Sequence, residues 1–129
     1  MDKSIVGIIG HGFVGESISF GFSPTNPIKI YDKSPERSLN SIEEVVVECD
    51  YIFVCVPTPM NLGDGSQNLN IIEDVMSKIN REKKRYTNAT DSVIIIKSTV
   101  MPGTVQRLQE KYPNLNMVFN PEFLTERTA

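Results

Sequence analysis

The stretch IIGHGFVG, residues 8–15, decides the fold of this chain. It spaces Gly10, Gly12 and Gly15 as Gly-x-Gly-x-x-Gly, after a β-rich run and before a helix-like stretch. In that setting Gly10 would make a tight turn, Gly12 would let the backbone approach a pyrophosphate, and Gly15 would let the helix pack close to the strand. The phosphates would sit at the positively polarised start of the helix. A glycine-rich turn without a ligand is the alternative interpretation.

The rest of the chain alternates between short apolar runs and amphipathic stretches. The apolar runs are nearly continuous in Ile, Val and Phe, which is typical of strands buried on both faces. Strand–helix–strand repetition indicates parallel strands joined by right-handed crossovers. We therefore expect an α/β fold of the Rossmann type, doubly wound, with a mostly parallel sheet of about five strands in the order 3-2-1-4-5, forming a single domain over residues 1–129. The predicted strands are 4–10, 28–31, 51–56, 92–97 and 116–119, and the predicted helices are 13–22, 41–48, 69–86 and 103–112.

Composition excludes several classes of protein. Sixteen acidic against 13 basic residues give a net charge of −3, whereas a nucleic-acid binder normally shows a basic surplus. The apolar runs are too short to cross a bilayer, and the N-terminus lacks the apolar core of a signal peptide. Cys49 and Cys55 are too close along a strand-like run to form a disulfide, so we read them as buried, reduced thiols of a cytoplasmic protein. No residue pattern indicates a metal site.

An acidic residue follows the second predicted strand. Asp32 lies 17 positions beyond Gly15, close to the spacing at which an acid meets the adenosine ribose. A carboxylate there accepts hydrogen bonds from ribose hydroxyls and repels a 2′-phosphate, which favours NAD over NADP. Lys33 and Arg37 leave NADP as an alternative cofactor, because a nearby cation could bind that phosphate. Alternatively, Asp32 simply starts the turn at DKSP.

Three further motifs follow predicted strands: VPTP at 56–59, KSTVMPGTV at 97–105 and NPEFLTE at 120–126. In a doubly wound sheet the carboxyl ends of the parallel strands form one rim, where ligands bind. Ser and Thr before a helix are more often capping residues, and proline commonly ends a strand. Their coincidence with the glycine loop and Asp32 on one rim is what indicates a binding site.

Taken in this order, GHGFVG, FVCVPTP, KSTVMPGTV and NPEFLTE resemble the N-terminal half of the UDP-glucose/GDP-mannose dehydrogenase family. That family oxidises the primary alcohol of a nucleotide sugar to a carboxylate, with two NAD per turnover and a covalent thioester on a cysteine. The resemblance places Arg37 beside the adenosine ribose and residues 56–60 and 98–100 along the nicotinamide. His11, the sole histidine, falls within the phosphate loop, so we expect it to contact cofactor or solvent rather than to catalyse. The positions that the resemblance assigns to the cofactor are Gly10, His11, Gly12, Phe13, Val14, Gly15, Asp32, Arg37, Val56, Pro57, Thr58, Ser98, Thr99 and Glu126.

The same resemblance implies roles in chemistry. Thr99 matches a threonine that helps to orient the water for thioester hydrolysis, and Glu122 matches the glutamate proposed as its general base. Glu126 matches an acid that borders the nicotinamide. The sugar nucleotide would contact Glu122, Phe123, Leu124 and Glu126.

The family's thiol nucleophile lies in a downstream half that these residues do not include, together with the central helix through which family members commonly dimerise. We therefore expect residues 1–129 to be the NAD-binding part of a nucleotide-sugar 6-dehydrogenase, inactive and monomeric alone. At full length we expect a homodimer with a UDP- or GDP-hexose as substrate and no nucleic-acid or membrane partner. Two alternatives stay open. One is a stand-alone dinucleotide-binding module without chemistry, and the other is a β-hydroxyacid-type dehydrogenase domain.

Overall fold

The computed structural model describes residues 4–10, 12–59, 63, 68–86 and 88–120, with Phe13 and Pro102 described by their backbone alone. Five parallel strands form one sheet, as the apolar runs predicted. Helices and strands alternate through these ranges. Their bounds are β1 Val6–Ile9, α1 Phe13–Phe22, β2 Ile28–Tyr31, α2 Ile42–Glu48, β3 Tyr51–Val54, α3 Asn70–Arg85, β4 Val93–Ile96, α4 Pro102–Lys111 and β5 Asn116–Phe119.

The strands lie in the order β2-β1-β3-β4-β5, so the predicted order 3-2-1-4-5 was wrong. The chain moves from β1 to β2 on one side, and then α2 carries it back across β1 to place β3 on the other side. A right-handed crossover that reverses direction must put its helix on the opposite face of the sheet. The reversal therefore lies between β1 and β3, and that is where a doubly wound sheet opens a crevice.

The two faces of the sheet are covered unequally. In β1, Gly7 faces α2 and Ile8 faces Gly15 of α1, because successive side chains of a strand point to opposite faces. The face beneath α2, α3 and α4 holds the main core, a cluster of buried aliphatic side chains with Cys49 and Tyr112. On the other face α1 packs on β1, and Phe22 contacts the ring of Phe53 at a centroid distance of 5.7 Å. The main core consists of Ile9, Val45, Val46, Cys49, Ile52, Val54, Val56, Ile72, Val75, Met76, Ile79, Ile94, Ile96, Leu108, Tyr112 and Met117.

Local sequence explains where two of the helices begin. Ser41 caps α2, since its hydroxyl accepts a hydrogen bond from the backbone N–H of Glu44 while the Glu44 carboxylate accepts one from the N–H of Ser41. Pro102 opens α4 at the first helical position, where the missing N–H costs nothing. Within the described ranges, no helix is long and apolar enough to cross a membrane.

The loop after β2 folds back along the outer edge of that strand. The backbone N–H of Ile30 donates to Oδ1 of Asn40 at 2.8 Å, and the carbonyl of Ile30 accepts from the N–H groups of Leu39 and Asn40. The N–H of Asp32 donates to Oγ of Ser38 at 3.1 Å. The loop thus occupies the outward-facing backbone groups of Ile30 and Asp32 and is fixed against the edge of β2.

Gly7→Ala should destabilise the fold. A Cβ at position 7 would lie 2.7 Å from Sγ of Cys49 and 2.8 Å from Cγ1 of Val45, inside the main core. Overpacking of this kind costs about 1–3 kcal/mol in the free energy of unfolding, which urea denaturation measures. Gly21→Ala is the matched control, because nothing lies within 4 Å of its added Cβ on α1. It should leave stability unchanged or raise it by up to about 1 kcal/mol. Equal losses in both variants would contradict the packing argument.

Burial raises the pKa of both thiols, Cys49 and Cys55, to about 12. Because the thiolate is the reactive form, alkylation by iodoacetamide at pH 8 should be about a thousandfold slower in the native chain than in urea. The unfolded chain loses these protons near pH 9 and the folded chain near pH 12, so the free energy of unfolding should fall as pH rises between these values. Rapid alkylation of the native chain would contradict this assignment.

Candidate functional site

A cleft of about 850 Å³ opens at the carboxyl ends of the central strands. Its size falls in the range of small-molecule and cofactor sites. It lies at the point where the strand order reverses between β1 and β3. The residues that line it are Ile9, Gly10, Gly12, Val14, Tyr31, Asp32, Lys33, Ser34, Arg37, Cys55, Val56, Pro57, Thr58, Asn70, Ile71, Asp74, Val75, Lys78, Lys97, Ser98 and Thr99.

A different steric reason explains glycine at each of the three positions of the loop. Gly10 has φ 95°, which a side chain rarely adopts, and its added Cβ would lie 2.9 Å from the carbonyl oxygen of Cys55. An added Cβ at Gly15 would lie 2.2 Å from the carbonyl oxygen of Gly10, so α1 approaches the loop closely there. Gly12 precedes the first turn of α1 and has open space at its Cβ position. A Cβ on Gly12 would therefore take up room that a ligand could use.

The start of α1 is suited to bind an anion. No side chain of the described residues caps its first turn, and Gly12 and Val14 line the cleft. The backbone N–H groups at the start of a helix carry a partial positive charge that favours phosphate. This arrangement can hold a diphosphate without a charged side chain from the loop itself.

The structure places Asp32 in the DKSP turn and also at the cleft. One carboxylate oxygen accepts a hydrogen bond from the backbone N–H of Ser34 at 2.8 Å, which fixes the turn at DKSP. The residue also lines the cleft beside Lys33 and Arg37. A carboxylate can accept several hydrogen bonds, so the turn leaves it able to accept from a ribose hydroxyl as well.

Hydrogen bonds tie the exits of β3 and β4 together. The hydroxyl of Thr58 donates to the carbonyl of Thr99 at 2.7 Å, and the buried hydroxyl of Ser98 donates to the carbonyl of Val56 at 2.6 Å. Beyond them, Nζ of Lys97 donates to Oδ1 of Asn120 at 3.1 Å, which joins the exits of β4 and β5. Ser98 therefore positions the two exits through its side chain, while Thr99 is exposed at the cleft.

Cys55 also lines the cleft, half-buried at the exit of β3. Burial raises the pKa of its thiol to about 12, against a smaller opposing effect of the Lys97 ammonium. The thiol is protonated at neutral pH, which does not suit a nucleophile. The sequence predicted a buried residue here, whereas the structure leaves Cys55 half-buried at the cleft.

One wall of the cleft was missed from the sequence. Five residues of α3 line it, at positions that recur every three or four residues along one side of the helix. The sequence predicted an amphipathic helix here and assigned none of its residues to the site. The polar positions carried no signal that separated them from a solvated face. The five residues are Asn70, Ile71, Asp74, Val75 and Lys78.

Several predicted site residues lie outside the described residues, and their placement stays a prediction. They are His11, Met60, Glu122, Phe123, Leu124 and Glu126, while the side chain of Phe13 is also not described. In the ranges that the structure covers, no group of three or more His, Cys, Asp or Glu side chains is placed to hold a metal ion.

The family model described as UDP-glucose/GDP-mannose dehydrogenase family, NAD binding domain, matches residues 29–129. The chain is 31% identical over 100 residues to UDP-glucose 6-dehydrogenase of Campylobacter jejuni, covering 72% of this chain and 22% of that protein. It is also 31% identical over 106 residues to GDP-mannose 6-dehydrogenase of Pseudomonas savastanoi pv. phaseolicola, covering 72% and 23%. This chain thus spans less than a quarter of either curated relative.

The fold has counterparts among solved structures. A UDP-glucose dehydrogenase from the archaeon Pyrobaculum islandicum superposes with a TM-score of 0.74 at 24% identity, over 95% of this chain and 36% of that one. That likeness concerns the fold, and it agrees with the five-stranded parallel sheet described above. With the family model matched over most of the chain, the conclusion is that this protein belongs to the UDP-glucose/GDP-mannose dehydrogenase family and contains its NAD-binding domain.

Proposed function

We propose that this chain is the NAD-binding part of a nucleotide-sugar 6-dehydrogenase, which oxidises the 6-hydroxyl of a UDP- or GDP-hexose to a carboxylate with two NAD per turnover. One observation carries the proposal: the glycine loop, the Asp32 turn and the tied exits of β3 and β4 line the same cleft. The relatives support the substrate class, since one is a UDP-glucose and the other a GDP-mannose 6-dehydrogenase.

The proposal assigns the cleft residues to successive parts of the cofactor. Gly10, Gly12 and Gly15 shape the loop that receives the pyrophosphate at the start of α1. Asp32 and Arg37 hold the adenosine ribose, and the carboxylate disfavours a 2′-phosphate. The β3 and β4 exits, with Val56, Pro57, Thr58, Ser98 and Thr99, lie along the nicotinamide side.

Chemistry would take place at the β4 and β5 end of the rim. The exits of β3 and β4 would hold the nicotinamide there, and the bound cofactor would supply the hydride acceptor for C6 of the sugar. Thr99 lies exposed at the cleft, where its side chain would help to orient the water that hydrolyses the thioester. Glu122 would act as the general base for that water, Glu126 would border the nicotinamide, and Phe123 and Leu124 would contact the sugar nucleotide.

The nucleophilic thiol would come from a part of the enzyme other than these 129 residues. Cys49 is fully buried in the core and Cys55 has a raised pKa, so neither suits the role. In this proposal the complete enzyme is a homodimer in the cytoplasm, and it uses neither nucleic acid nor a membrane as partner.

Calorimetry on the purified chain tests the cofactor assignment. We expect NAD to bind at least about tenfold more tightly than NADP, because Asp32 repels a 2′-phosphate. Asp32→Asn should bring the two affinities closer together, while Glu36→Gln, an exposed carboxylate of the same loop that does not line the cleft, should preserve the preference. If the unaltered chain prefers NADP, then Lys33 and Arg37 bind the phosphate and the assignment fails.

We also expect the purified chain to produce no NADH from NAD with UDP-glucose or GDP-mannose. In this proposal most of the sugar-nucleotide pocket, like the thiol, is supplied by another part of the enzyme, so the sugar is not held beside the nicotinamide. A complete nucleotide-sugar 6-dehydrogenase assayed in parallel provides the positive control. NADH formation by the chain alone would contradict the proposal that another part of the enzyme is needed for turnover. Binding of NAD without turnover, even after the rest of a complete enzyme is supplied, would instead favour a stand-alone binding module.

A further inference from the structure

Helix α3 presents two adjacent rows of side chains to the cleft. Ile71 and Val75 form an apolar row, and Asp74 and Lys78 form a charged row beside it. Residues three and four apart are neighbours on a helix surface, so each apolar residue lies next to a charged one. This wall and the Asp32 turn line the same cleft.

The charged row places an acceptor and a donor side by side. Oδ2 of Asp74 lies 3.0 Å from Nζ of Lys78, and the side chains remain 62% and 35% exposed. An ionised carboxylate only accepts hydrogen bonds, and an ammonium only donates them. Both groups therefore keep capacity for a ligand atom that approaches from the cleft.

Adenine carries the complementary pair of groups on adjacent positions of its ring edge. Its N6 amino group donates hydrogen bonds and its N1 accepts one. In hypoxanthine the order is reversed, because O6 accepts and the N1–H donates. The carboxylate–ammonium pair on α3 thus matches the first base and opposes the second.

We propose that Asp74 and Lys78 select the base of the bound dinucleotide by reading this edge of adenine. Asp74 accepts from the N6 amino group, Lys78 donates to N1, and one face of the ring packs on Ile71 and Val75. The inference rests on the assignment of the cleft to NAD and adds base recognition to it. In this proposal Asp74 and Lys78 are specificity-determining residues, and they bind the cofactor away from the reacting atoms.

Glu73 provides a matched comparison on the same helix. It adjoins Asp74 in sequence, but its carboxylate lies 3.4 Å from Arg107 and 3.7 Å from Lys111 of α4. It is not among the residues that line the cleft. A charge removed at position 73 therefore alters α3 without altering the proposed base site.

The test is calorimetric titration of the purified chain with NAD and with nicotinamide hypoxanthine dinucleotide, which differ only in the base. We expect the unaltered chain to bind NAD about tenfold more tightly, the effect of about one partly exposed hydrogen-bonded pair. Asp74→Asn and Lys78→Met should reduce the affinity ratio to about one, since an amide can donate to O6 and a thioether cannot donate to N1. Lys78→Arg, which keeps a donor, and Glu73→Gln should retain most of the preference.

Other outcomes overturn the inference. A ratio near one in the unaltered chain, with NAD bound, rejects base reading and leaves the proposed function intact. An equal loss of affinity for both dinucleotides in Lys78→Met would instead assign Lys78 to a phosphate. Failure of the unaltered chain to bind NAD would reject both the inference and the assignment of the cleft. Urea denaturation of each variant verifies that the fold is intact, which is expected because positions 74 and 78 are not in the main core.

Discussion

The cleft depends on one close contact, the approach of the Gly15 backbone to the carbonyl of Gly10. An added Cβ at Gly15 would lie 2.2 Å from that oxygen, so any other residue would push α1 away from the end of β1. Gly10 turns the chain at φ 95° against the exit of β3, and Gly12 leaves space in front of the helix. The start of α1 is thereby directed at the crevice between β1 and β3, and the other residues of the cleft lie around that point.

The sequence was sufficient to predict the strands and helices but not the order of the strands in the sheet. Buried parallel strands have nearly continuous apolar runs, and those runs appeared at all five strands. The order was wrong because periodicity does not report on which side of β1 the third strand lies. That choice is made by α2, which packs on the same face as α3 and α4 and so returns the chain across β1. A helix of seven residues leaves little pattern from which its face could be predicted.

The candidate site was predictable where a backbone constraint or a strand end marked it. Gly10, Asp32 and Thr99 lie in one cleft, as their positions after predicted strands implied. Two side chains turned out to have structural partners as well: Asp32 accepts from Ser34, and Ser98 donates to Val56. The α3 wall was not predictable, because a half-exposed polar row beside a buried stripe is also the pattern of an ordinary solvated face. Only the three-dimensional relation of α3 to β1 separates these interpretations.

The loop that folds back on β2 makes the two edges of the sheet unequal. Because Leu39, Asn40 and Ser38 occupy the outward backbone groups of Ile30 and Asp32, a strand from another chain would find these groups already bonded. Within the described residues, the edge at β5 carries no such covering loop. The turn that fixes Asp32 thus also protects one side of the molecule from edge-to-edge association.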